Sequence, residues 1–165
     1  MPFVIGDDDT LHHPEFHQAG TALATLILAC RRSLWLRVPS LDNLTADRVV
    51  CDALKQLGLS SERVDIRIQY DSQDDAIRNG HRLIHLARRL PSRIQLRQSQ
   101  DDDRDGQLCF AIGDNTGLFE ASGWPRPARL DLCAHRLPRA PRLARQFQEQ
   151  WERASHSTEL RELRL

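Results

Sequence analysis

The chain has 165 residues, with 23 basic side chains balanced by 23 acidic ones, 40% hydrophobic residues and 28% charged ones. That length suits one domain with a sizeable core and is too short for two, and the composition excludes disordered and fibrous classes. Formal neutrality excludes the strong overall basic field of an obligate DNA packager, while leaving room for a local basic patch.

Taken in chain order, residues 1–13 lack periodicity and carry Asp7-Asp8-Asp9, which predicts a flexible acidic tail ahead of a single domain over 14–165. No basic segment or long apolar run follows, so the expectation is a protein of the reducing cytoplasm with no membrane contact. Pro14 suits a first helical turn, and Phe16, Ala19, Leu23, Ile27 and Cys30 recur at three- and four-residue spacing, predicting an amphipathic helix. Ser33 to Val38 reads as a strand stopped by Pro39, Leu44 to Leu57 as a helix closed by Gly58, and Val64 to Ile68 as an alternating strand. Ser72 is placed to cap a helix whose apolar face runs through Ala76, Ile77, Gly80, Leu83, Ile84, Ala87 and Leu90, and Pro91 ends it. Ile94 to Arg97 predicts a strand, Gln98 to Gly106 an acidic loop, and Leu108–Ile112 and Leu118–Ala121 a hairpin around Gly113 to Gly117. A short strand at Leu130 to Ala134, a helix at Pro141 to Ser155 and a terminal turn through Leu160, Leu163 and Leu165 complete the chain.

Helices separate the early strands, which favours parallel pairing, whereas the late strands are close enough for antiparallel hairpins. The fold class is therefore α/β: a mixed sheet of about six strands flanked by helices. Its core is expected to include Leu23, Ile27, Leu34, Leu36, Ile66, Ile68, Ile77, Leu83, Ile84, Ile94, Cys109, Ile112 and Phe147. The four cysteines, Cys30, Cys51, Cys109 and Cys133, sit among apolar neighbours with no C-x-x-C pair, so they read as buried thiols.

Candidate chemistry is sparse. His13 and His17 lie four apart at a helix start, but no third and fourth ligand accompanies them, so no metal site is expected. His81 and His85, with Arg78 and Arg88 alongside, form a cluster on a helix flank that suits a phosphate or an acidic side chain. Lys55 is the single lysine, and the other 22 basic residues are arginines, whose planar fork matches phosphate and carboxylate. Six of them, Arg126, Arg129, Arg136, Arg139, Arg142 and Arg145, fall between Gly123 and Arg145 against one acid, Asp131. This segment, which opens with Trp124, is the strongest candidate for binding an anion or a nucleic acid. The acidic loop 101–105 is an alternative partner for the same arginines. No hydrolase, P-loop, dinucleotide or zincin motif is present, and no cofactor is expected.

The run from Asn79 to Arg97, the strand ending in Asp114, and Gln150-Trp-Glu-Arg153 resemble a proteobacterial phospholipase D-like domain of unknown function, found free-standing or fused behind an N-acetyltransferase domain. The phospholipase D family performs phosphodiester chemistry with H-x-K-x4-D, two copies of which meet in one site. Counting back from Asp114, the Lys position falls on Cys109 and the His position on Gln107. Glutamine cannot form a phosphohistidine-type intermediate, and a neutral thiol cannot replace an ammonium. The resemblance thus implies the fold without the chemistry: not an enzyme, but a domain acting through protein contacts or self-association, with anion or nucleic-acid binding by segment 123–145 as the alternative. One degenerate half-motif per chain further implies a homodimer.

Overall fold

The computed structural model describes residues 2–74 and 81–155. Seven strands form one sheet in the order β1-β7-β6-β5-β2-β3-β4. They are β1 Leu11–His12, β2 Ser33–Ser40, β3 Asp65–Ser72, β4 Ile94–Gln98, β5 Phe110–Gly113, β6 Gly117–Glu120 and β7 Asp131–Cys133. The α-helices among the described residues are α1 Ala19–Ala29, α2 Asn43–Ala46, α3 Arg48–Ser60, α4 Arg82–Arg89 and α5 Arg139–Arg153.

β2, β3 and β4 run parallel, linked by segments that contain α3 and α4, while β5, β6 and β7 return in antiparallel steps. The mixed sheet follows from linker length, because only the early connections are long enough to hold a helix. One face, formed by Leu34, Leu36, Ile66, Ile68, Ala111 and Phe119, packs against α1, α3 and α4 in the larger core. The other face, with Phe110, Ile112 and Leu118, packs against Ala140, Leu143, Phe147 and Trp151 of α5. Every expected core residue is buried except Ile77, which lies outside the described residues, as do Ala76, Gly80 and the terminal leucines. All four cysteines are free and buried, and burial pushes the Cys51 thiol up to about 11.

Two expectations are corrected. The N-terminal segment is not a loose tail: Leu11 and His12 pair with Cys133 and Leu132, Gly6 N–H donates to the Ala134 carbonyl, and Phe3 and Ile5 pack on the core. Its apolar residues were too few to register as a period, yet they supply the seventh strand. Pro39 does not stop β2, which continues to Ser40; β5 leaves β2 at Arg37, so Pro39 sits where that side needs no further donor.

The β5–β6 hairpin fixes the sheet to α1. Asp114 and Asn115 take positive φ values of 46° and 69°, a region that Asp and Asn tolerate best among non-glycine residues. The Asp114 carboxylate accepts backbone N–H bonds from Arg31, Arg32 and Ser33 at 2.8–3.0 Å, clamping the α1–β2 connection. Gly113 and Gly117 flank this turn, and a Cβ there would lie 2.7 Å from Cys30 Sγ and 2.9 Å from Leu26 Cδ1. Their lack of a side chain is what lets the end of α1 approach.

Candidate functional site

The strand directions decide where the motif positions go. Gln107 precedes β5 at the carboxyl end of the parallel strands, whereas Asp114 follows β5 at the opposite end, roughly 20 Å away at about 3.3 Å per residue. Gln107 is exposed; its carbonyl accepts from Gly123 N–H at 3.0 Å, and its own N–H donates to Asp105. Cys109 is buried, and burial raises its thiol far above the ordinary value, so it stays neutral. Gln107 and Cys109 are therefore neighbours, while Asp114 serves the α1 clamp at the far end.

The carboxyl ends of parallel strands are where open α/β sheets usually bind ligands. Two recesses open there, one on each side of the Gln107–Gly123 hydrogen bond. The first, about 560 Å³, is lined by Glu120, Ser122, Arg129, Asp131, Arg136 and Arg139. Glu120, pointing from β6 to the α5 side, receives Arg139 through two of its guanidinium nitrogens, Nε to Oε1 at 2.6 Å and Nη2 to Oε2, and also the Ser122 hydroxyl at 3.1 Å. Burial works to raise the Glu120 carboxyl, but the Arg139 bonds and charge, Ser122 and Arg136 outweigh it and hold it below its ordinary value. Asp131 is held by Arg129 at 2.9 Å and by His13 Nδ1 at 2.9 Å. Arg136 and Arg142 form no ion pair among the described residues. Arg136 and Arg139 also line an adjoining hollow of about 270 Å³ with Arg142. Four guanidinium groups thus face two carboxylates.

The second recess, about 570 Å³, lies towards α1 and α3 and is lined by Phe16, His17, Gly20, Asp42, Asp47 and Trp124, with Gly106 at its edge. Trp124 Nε1 donates to Asp42 Oδ2 at 2.6 Å, and the Phe16 ring lies 5.5 Å from that of Trp124. Asp42 caps α2 through Leu44 N–H, and Asp47 caps α3 through Val49 N–H. The single helix expected from Leu44 to Leu57 is split at Asp47 into α2 and α3, and its caps and their aromatic neighbours were not read from the sequence; Asp42 and Asp47 were the available signal.

The other expected residues are dispersed. His81 is not on a helix flank: it is buried, caps α4 by accepting Leu83 N–H at Nδ1, and meets Thr45 Oγ1 at 2.9 Å through Nε2. That corrects its place in an anion cluster with His85 and Arg88, both of which are exposed on α4. Arg126 and Arg145 are exposed and line neither arginine hollow. The acidic loop does not engage segment 123–145; Asp103 makes a two-bond pair with Arg153, and Asp101 meets Arg104. Beneath that loop lies a pair missed from sequence, Arg37 with Asp71 at 2.8 Å, both buried.

No helix among the described residues is long and apolar enough to cross a membrane. No curated protein sequence matches the chain. Among solved structures the fold is similar to NucT from Helicobacter pylori (TM-score 0.62, 15% identity, 91% of this chain and 99% of that one). It is similar also to Nuc from Salmonella typhimurium, a phospholipase D family member (0.61, 14%, 89% and 95%). A third is the archaeal chromatin protein TrmBL2, whose structure shows a novel mode of DNA binding (0.63, 14%, 93% of this chain but 55% of that one). The architecture is thus phospholipase D-like. These neighbours overturn the expectation that the chain is not an enzyme: the fold is shared with phospholipase D family members, so Gln107 and Cys109 do not suffice to exclude an activity. Over residues 15–163 the match is to DUF7931, and the chain belongs to this family, a domain of unknown function.

Proposed function

We propose that the chain binds the phosphates of a nucleic-acid strand in the arginine recess beside β6. The observation that carries this reading is the surplus of cation there. Arg139 and Arg129 are engaged with Glu120 and Asp131, while Arg136 and Arg142 stand beside them without a close ion pair among the described residues, Arg136 acting on Glu120 only through its charge. Two guanidinium forks side by side suit successive phosphates, and ordered neighbours reduce what their positioning costs. The recess lies at the ligand-binding end of the sheet, and one protein of similar fold binds DNA. Formal neutrality of the whole chain confines such binding to a local patch, and the phosphate contacts themselves make it dependent on salt.

The test is fluorescence anisotropy with a labelled single-stranded 12-mer across a salt series. Binding should weaken steeply as salt rises, and Arg136→Ala with Arg142→Ala should lower affinity and flatten the slope by about 0.7 per lost phosphate contact. Unchanged affinity in the double variant, or no binding at low salt, would overturn the reading.

A further inference from the structure

We propose that the recess between Phe16, Asp47 and Trp124 receives a base of the strand whose phosphates lie on the arginines; this rests on the reading of the arginine recess given above. The two hollows are separated by very little chain. Ser122 lines one and Trp124 the other, and Gly123 between them is tied to Gln107. Two residues of chain span at most about 7 Å, so the facing edges of the two hollows are close enough for one strand to cross from one to the other.

The second hollow is unsuited to phosphate. Asp42 and Asp47 line it, and like charge repels the backbone. It does suit a base. Phe16 remains 55% exposed although it rests beside Trp124, which offers an aromatic surface that needs no side-chain rearrangement to stack. The ring is held by a short 3-10 turn at Phe16–Gln18 that Glu15 and Gln18 close reciprocally, so stacking on it costs little ordering. Asp47 Oδ1 is committed to Val49 N–H, while Oδ2 makes no hydrogen bond among the described residues. It lies over Gly20, where a Cβ would come within 2.7 Å. A free carboxylate oxygen at the rim of an aromatic shelf accepts hydrogen bonds, so it favours bases whose exocyclic amino group offers two N–H donors over thymine, whose single N3–H donor is flanked by two carbonyl oxygens that repel a carboxylate.

The experiment compares dA12, dC12, dT12 and an abasic 12-mer of equal charge, titrated against the wild-type chain and Phe16→Ala. The abasic strand should bind with the same salt slope but ~5- to 100-fold more weakly than dA12 or dC12. Phe16→Ala should bring dA12 and dC12 towards the abasic affinity and leave the abasic strand unaffected, while Phe16→Trp retains the difference. Asp47→Asn should shrink the preference of dA12 and dC12 over dT12. If the abasic strand binds as tightly as the others, or Phe16→Ala changes nothing, the base site is refuted while the arginine reading stands. If no strand binds, the arginine reading falls and takes this inference with it.

Discussion

Two arginine–carboxylate pairs sit on the α5 side of the same sheet and do different work. Arg37–Asp71, bridging adjacent parallel strands, is closed from water: the side chains are 0% and 8% exposed. Arg37 also donates to the Val38 and Asp103 carbonyls, and Asp71 accepts the Asp105 N–H, so the pair pins the acidic loop over the sheet. Arg139–Glu120 has a buried acid but an arginine 49% exposed, standing at the mouth of a recess. Burial decides the role. The closed pair has no room for another partner and organises the loop; the open one presents a positioned guanidinium beside Arg136 and Arg142.

The largest effect that tests this contrast is on Arg37. Arg37→Ala leaves the Asp71 carboxylate buried without its cation and should cost about 3–5 kcal/mol, read from urea unfolding. Arg37→Met combined with Asp71→Leu should recover most of that loss, because no uncompensated charge remains. A single variant as stable as wild type would show that the pair does not hold the loop.

Asp114→Ala comes next. Three backbone donors lose their acceptor and the left-handed turn loses a residue that tolerates it, so a cost of about 1–3 kcal/mol is expected. Oligonucleotide affinity should be unaffected where the variant is folded, since Asp114 lies at the other end of β5. An affinity loss as large as that of the Arg136 and Arg142 variant would place Asp114 in the site after all.

Arg139→Ala reverses that pattern. Half-exposed and screened, the pair should contribute only about 1 kcal/mol to stability, while strand affinity falls severalfold. The same pair gives the smallest effect, on pH dependence. Glu120 is held below its ordinary value in the folded state, so its contribution is complete above about pH 4.3. It is lost as pH falls through the lower folded value. The thermal midpoint of the wild type should therefore drop faster than that of Arg139→Ala below pH 4.3; parallel curves would mean that Arg139 does not set the Glu120 titration.

The sequence alone determined the order of helical and strand regions from α1 onwards, because apolar period and linker length are local properties that survive without knowledge of packing; it did not show that the helix expected at Leu44 to Leu57 is split at Asp47 into α2 and α3. It also placed the core cysteines, the mixed sheet and the arginine segment. It missed β1, whose Leu11 and His12 are too short a stretch to show alternation and become a strand only because β7 offers an edge. It misjudged His81, since a histidine four residues from another looks like a helix flank until the cap geometry turns it inward to Thr45. Only the tertiary structure decided that Asp114 clamps the α1–β2 connection, that Arg37 is buried with Asp71, and that Phe16 meets Trp124 across 108 positions of chain. Each of those facts depends on which elements become neighbours, and long-range pairing leaves no periodic trace in the residues that make it.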